Sequence, residues 1–190
     1  MDGATAVLPN EPALVAQAAE EPAAFAALYD HYFGRVYNYV RYRVQGAQAT
    51  DDIVAQVFER ALGRITSYQP ERAPFSVWLF AIARNAIADH HRRKVRRPTI
   101  SVESLDQQPS PRPHPEEIAI HNETCTVLFA ALAQLRERER DIIALKFAAG
   151  LTNRRIAEIT NLSPTNVGVI LYRAMRRLRE ELAGQEIDHE

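Results

Sequence analysis

The chain has 190 residues, 46% of them hydrophobic, with 23 basic against 24 acidic side chains, one cysteine and 11 prolines. That length admits one or two ordinary domains, and the hydrophobic share excludes wholesale disorder. One cysteine excludes an internal disulfide framework, no apolar run approaches the ~20 residues of a bilayer span, and an acidic start without a basic residue is unlike a secretory signal, so a cytoplasmic address without membrane insertion is expected.

Residues 1–24 carry Asp2, Glu11, Glu20 and Glu21 together with Pro9, Pro12 and Pro22, and are expected to form an acidic, flexible tail. From Phe25 the apolar side chains Leu28, Tyr32, Phe33, Val36, Tyr39 and Val40 recur at helical spacing, which predicts a helix ending near Gly46. A second helix is expected after Thr50 as N-cap, with Asp51 and Asp52 in the first turn where the helix dipole favours acids. Its stripe is Ile53, Val54, Val57, Phe58, Ala61 and Leu62. A polar loop over 67–74 precedes a third helix from about Phe75 to about Val95, with Trp78, Leu79, Ile82, Ala86 and Ile87 inward. These elements make a first domain over 25–97.

Residues 98–115 contain five prolines, a density that forbids helix and favours extended chain, so they read as a linker. A second domain over 116–184 follows. Its stripes are Ile118, Val127, Leu128, Ala131, Leu132 and Leu135, then Ile142, Ile143 and Leu145 within 138–147, stopped at Gly150. A short helix after Thr152 leads through Asn161 and Leu162 to a last helix from Ser163 to about Leu182. Ser163 suits the N-cap and Pro164 the first helical position. With no strand-period alternation, the chain reads as all-α: two small helical domains joined by a proline-rich linker.

The net charge of −1 averages over a strong asymmetry. Residues 1–30 hold five acids and no base, 84–97 hold six bases against Asp89, and 172–179 hold four arginines and no acid. Polyanion binding depends on such clusters rather than on the sum. In the last helix Val167, Leu171, Ala174 and Leu178 form the buried face. Thr165, Asn166, Gly168, Val169, Tyr172 and Arg173 then lie on or beside the outward face, as in a helix-turn-helix that presents its first turns to base edges. Arg173, Arg176, Arg177 and Arg179 suit phosphates. Around the third helix, Arg84, Asn85, Asp89, Arg92 and Arg93 lie opposite the apolar stripe, and the preceding loop offers Tyr68 and Arg72. Stacking groups with cations suit unpaired bases.

Three motifs in order, TDDIVAQVFERAL, FSVWLFAIARNAIADHHRRK and GLTNRRIAEITNLSPTNVGVILYRAMRRLR, resemble those of a bacterial RNA polymerase sigma factor of the extracytoplasmic-function (ECF) group in the sigma-70 family. The resemblance covers about Phe25 to Leu182. It implies that 25–97 is region 2, 116–184 is region 4, and the partners are core RNA polymerase and promoter DNA, with an anti-sigma factor a further candidate. It places polymerase binding at Asp51, Asp52, Gln56 and Phe58, with Ile53 and Val57 mostly in the core. It places minus-ten contacts at Tyr68, Arg72, Arg84, Asn85, Asp89, Arg92 and Arg93, the loop 68–74 holding a flipped non-template base. Minus-thirty-five contacts fall on Arg155, Thr165, Asn166, Arg173, Arg176 and Arg177. Glu103 and Asp106 of the linker would pass near the RNA path. Gly168 and Ile170 stand where many relatives carry a base, which shifts the expected readout to Thr165, Asn166 and Arg173, and Ala55 replaces a polar residue common in the docking helix.

No catalytic constellation is visible: no glycine-rich phosphate loop, no GxSxG and no HExxH. His121 and Cys125 are four apart, but two ligands do not close a zinc site. No enzyme activity, cofactor or metal is expected. A response-regulator reading requires an α/β receiver in the helical N-terminal half, and an interaction module leaves two basic surfaces unexplained. A helix-turn-helix regulator that acts without docking on polymerase is the remaining alternative. In the free chain the two domains are expected to pack together or onto an inhibitor, hiding basic surface.

Overall fold

The computed structural model describes residues 8–44, 46–96 and 127–187. All regular structure among them is helical, as the periodicity predicts. The linker over 98–115, with Glu103 and Asp106, and the His121–Cys125 pair lie outside the described residues.

The first lobe holds α1 (Glu11–Glu20), α2 (Phe25–Arg41), α3 (Ala47–Arg64) and α4 (Phe75–Arg96). Helix α1 corrects the reading of residues 1–24 as a wholly flexible tail. Pro12 stands in its first turn, where a missing N–H costs nothing, and Val15 and Ala18 are buried in the core that α2 also lines. The stripe is narrow and its groups are small, so periodicity alone gives little signal. Tyr32 of α2 donates a hydroxyl hydrogen bond to Glu11, which fixes α1 further. Helix α2 buries Phe25, Leu28, Tyr32, Val36, Tyr39 and Val40, the predicted stripe apart from Phe33, which stays 37% exposed.

Helix α3 starts earlier than Thr50 suggests. Gly46 adopts φ 96°, a conformation open to glycine, and the helix begins at Ala47 directly behind it. Thr50 is therefore an internal residue, buried, with its hydroxyl donating to the Gly46 carbonyl at 3.0 Å. The length of α4 agrees with prediction, and Phe75, Leu79, Phe80, Ala83, Ala86 and Ile87 are buried along it.

The second lobe holds α5 within 127–134, α6 (Glu137–Ile143), α7 (Asn153–Thr160) and α8 (Pro164–Ile187). Helix α6 widens into a π turn over Ala144–Ala148 and stops at Gly150, whose φ of 66° makes it the expected terminator. Thr152 caps α7 by accepting from the Arg155 N–H at 3.4 Å, and Ser163 caps α8 by accepting from the Asn166 N–H at 3.2 Å. Asn161 turns the chain between them in the left-handed region, at φ 55°.

The lobes share one core. Leu145, Ala149, Leu151, Ile156 and Val167 of the second lobe join the cluster built by α2, α3 and α4, while Ala131, Leu132, Leu135, Ile143, Ala174 and Leu178 form a smaller one. The aromatic rings of Tyr42 and Phe129 lie 5.3 Å apart across the junction, with the Arg41 guanidinium 5.1 Å from the Phe129 centroid. Arg35 donates Nε and Nη2 to the Ala149 carbonyl at 2.9 and 2.6 Å.

Candidate nucleic-acid interface

Helix α8 supplies one face of the site. Val167, Ala174 and Leu178 anchor it, so the helical period turns Thr165, Asn166, Val169, Tyr172, Arg173 and Arg176 outward. The Ser163 cap holds the first turn, from which Thr165 and Asn166 project. Tyr172 is 70% and Val169 41% exposed, large apolar groups on a face otherwise polar and cationic. That combination offers hydrogen bonds to base edges, methyl contacts and charge for phosphates. Arg176 also faces Glu180 at 3.5 Å, an exposed pair one turn on.

Two further arginines expected among the minus-thirty-five contacts lie off this outward face. Arg177 gives its Nη1 to Glu139 of α6 at 3.0 Å, where Glu139 also accepts from the Arg136 N–H at 3.2 Å and caps α6. Arg155 points along α7 into a cleft of about 450 Å³ between the lobes, lined by Pro70, Glu71, Arg72, Thr152, Arg154 and Arg155. Arg177 is drawn away by a group that no local pattern predicts.

The second face is the outer side of α4. Asn85, Arg92, Arg93 and Lys94 are exposed, as the stripe requires. Asp89 pairs with Arg92 and with Arg60 of α3, the latter at 3.2 Å, and the guanidinium of Arg92 first, then that of Arg60, hold its carboxyl below the usual carboxylate range. Asp89 thus serves to orient two cations. Arg60 joins this basic face although nothing in its own helix marks it. Arg84 gives its Nε to Asp141 of α6 at 2.8 Å.

Tyr68, expected as a stacking platform, is half-buried in a ring cluster with Phe75 at 5.6 Å and Trp78 at 5.3 Å. Its hydroxyl donates to the Ala73 carbonyl at 2.9 Å and braces the loop, and burial raises its pKa. Arg72 stands exposed at the tip of that loop.

On α3, Asp51 and Asp52 are exposed and Gln56 partly so. Phe58, expected at the polymerase surface, is 5% exposed and packs against Tyr29, Phe33 and Phe25 at ring separations of 4.6, 6.3 and 6.4 Å. The outward aromatic groups beside it are Tyr29 and Phe33.

The comparisons with known proteins match the chain in two regions. The Sigma-70 region 2 model matches residues 28–97 and the Sigma-70 region 4 model residues 126–178. The ECF RNA polymerase sigma factor BldN of Streptomyces coelicolor is 32% identical over 161 residues, 84% of this chain and 61% of BldN, so the matched stretch falls short of two thirds of that relative. ShbA of Streptomyces griseus is 32% identical over 133 residues, 68% of this chain and 69% of its own, and SigX of Bacillus subtilis is 28% identical over 174 residues, 86% and 89%. In fold, the chain is similar to CnrH, solved with the cytosolic domain of CnrY, at a TM-score of 0.70 and 24% identity over 90% of this chain and 96% of that one. RpoE of Bartonella quintana, solved with the anti-sigma factor NepR, gives 0.68 and 20% over 84% and 96%. A helix-turn-helix regulator without a polymerase-docking domain leaves the region 2 match unexplained. The chain belongs to the ECF RNA polymerase sigma factors of the sigma-70 family.

Proposed function

We propose that this chain binds core RNA polymerase and directs promoter-specific initiation, with the first lobe docking on polymerase and handling the minus-ten element and the second lobe reading the minus-thirty-five element. The carrying observation is the pair of exposed cationic faces, on α4 and on α8, placed on two different lobes. Asp51, Asp52 and Gln56 offer an acidic surface for polymerase. Asn85, Arg92, Arg93 and the loop carrying Arg72 hold the separated non-template strand, and Thr165, Asn166 and Arg173 read the upstream duplex. The proline-rich linker turns the second DNA contact into a nearly intramolecular one. The role asks for binding and positioning rather than bond chemistry, and it belongs in the cytoplasm where the polymerase works. An anti-sigma factor is a fitting regulator, as it is for the RpoE of Bartonella quintana.

Reconstitution with core polymerase on a randomised promoter library tests this reading. Run-off transcripts should start from sites sharing two spaced elements. Absence of promoter-specific initiation, in an assay where a known sigma factor works, sinks it.

A further inference from the structure

Helix α1 lies ahead of the stretch 28–97 that the region 2 model matches, and neither basic face draws a residue from it. Its first residue is Glu11. The carboxylate there accepts from the hydroxyl of Tyr32, a side chain only 2% exposed in the middle of α2. An acid in the first turn suits the helix dipole, but the dipole asks for no partner 21 residues away. A buried tyrosine hydroxyl does need a partner, and a carboxylate is among the strongest acceptors. The Arg35 guanidinium lies over the same ring, 5.1 Å from its centroid.

From Tyr32 a run of rings leads to the loop over 67–74. Tyr32 meets Phe75 edge to face at 5.4 Å, Phe75 meets Tyr68 edge to face at 5.6 Å, and Tyr68 meets Trp78 at 5.3 Å. Tyr68 then closes the loop through its hydroxyl, which donates to the Ala73 carbonyl at 2.9 Å. The other hydrogen bonds of the loop among the described residues are local. Ser67 Oγ donates to the Arg64 carbonyl at 2.7 Å, the Tyr68 N–H to the Ile65 carbonyl at 3.1 Å, and the Arg72 N–H to the Gln69 carbonyl at 3.1 Å. All of these stay within 64–73, so the Tyr68 ring is what ties the loop to the lobe. Helix α1 also packs against the turn Ile65–Ser67 directly before the loop, and against α4 directly after it. Burial first, then the Glu11 and Glu71 carboxylates, raise the pKa of Tyr68, and Glu11 raises that of Tyr32 as well, so its charge is felt at both phenols.

We propose that α1 is a brace for the base-capturing loop, and that Glu11 is a positioning residue for minus-ten recognition. Its bond to Tyr32 sets the tilt of the Phe75 and Tyr68 rings, because edge-to-face packing is directional. Those rings in turn set the shape of the 68–74 loop that receives the unpaired base. Glu11 itself touches no DNA. A loop held in one shape discriminates between bases by fit, whereas a loose loop accepts several. The brace also orders the loop before the strand arrives, so that ordering is not left to the binding step. This role deepens the sigma-factor reading and rests on it.

The test uses the full chain with core polymerase on a promoter taken from the run-off library, with the four bases placed in turn at each non-template minus-ten position. The captured base is the position at which wild type discriminates most sharply. Tyr32→Phe keeps the ring and removes the hydroxyl, and Glu11→Ala removes the acceptor. Each should flatten the preference at that position by about tenfold, the worth of one hydrogen bond to a charged group, and leave the preferences at the upstream element unchanged. The double variant should lose no more than either single one, because both break the same bond. Glu11→Gln keeps an acceptor and should retain most of the preference. Trp78 is the single tryptophan of the chain and reports the loop without DNA. Acrylamide should quench it more strongly in Tyr32→Phe and Glu11→Ala than in wild type. If Glu11→Ala does not fold, Tyr32→Phe carries the comparison. A lower melting temperature with unchanged base preference assigns Glu11 to stability alone and overturns the brace, and so does an equal loss at every promoter position. Failure of wild type to initiate counts against the sigma-factor reading, whereas wild type that initiates while both variants keep its base preference overturns the brace alone.

Discussion

Phe58 and Asp52 lie two turns apart at most on α3 and answer to different forces. Phe58 is packed among Tyr29, Phe33 and Phe25, while Asp52 is exposed and its Oδ1 accepts from Gln48 Nε2 of the same helix, at 3.1 Å. Phe58→Ala should therefore cost about 3–5 kcal/mol in urea denaturation, the range for truncating a buried aromatic group. Asp52→Asn should leave the denaturation midpoint in place and weaken association with core polymerase. A Phe58 variant of full stability that failed only in polymerase binding would return the ring to the surface. The two residues share a motif, and from the sequence both pass as docking groups. What separates them is the side of the helix each faces, and the rings from α2 that cover Phe58 are fixed by tertiary packing.

At the scale of elements, stripes and caps were readable because they are local. The faces of α2, α3 and α4 follow from spacing apart from Phe33 and Leu62, which are exposed, Gly150 and Ser163 end and start helices where expected, and Thr165, Asn166 and Arg173 of α8 are exposed on the predicted side. Pairings between distant residues were not readable: Arg177 finds Glu139 at a separation of 38 residues and Arg84 finds Asp141 at 57, and no period encodes either. Ser163→Ala should remove the acceptor for the Asn166 N–H and cost about 1 kcal/mol by denaturation, fraying the turn that carries Thr165 and Asn166. The junction of α2, α4 and α6 should also respond to acid. Burial first, then Arg43 at the end of α2 and neighbouring His90 of α4, lower the pKa of His91, while Glu137 of α6 pulls it upward. The unfolded chain therefore takes the proton first as pH falls. This contribution to stability is full above the ordinary histidine value of about 6.5 and is lost as pH drops through the lowered folded value. Melting temperature should fall between pH 7.5 and 5.5, and His91→Gln should flatten that slope. An identical slope in the variant would assign the acid response to other groups, with His31 and His90, also lowered, next in line.

The whole molecule combines two matched regions with one shared core, and these pull its unfolding behaviour in opposite directions. Lobes joined only by a proline-rich linker would melt independently, each with a small enthalpy of its own. Here Leu145, Ala149, Leu151 and Ile156 of the second lobe are buried in the cluster built by α2, α3 and α4, and Arg43 and Asp141 are buried against each other. Losing either lobe strips apolar cover and a counter-charge from the other, so partial unfolding carries a penalty that full unfolding does not. The linker adds to this by keeping the two surfaces at high effective concentration. The free chain should therefore unfold in one calorimetric transition whose van't Hoff and calorimetric enthalpies agree, and excess promoter DNA with core polymerase should abolish that coupling by holding the lobes apart. Two resolved transitions in the free wild-type chain at low salt would mean that the shared core does not persist in solution. Two transitions in Asp141→Asn alone would instead locate the coupling in the buried charge cluster, because the apolar part of the junction is unchanged in that variant.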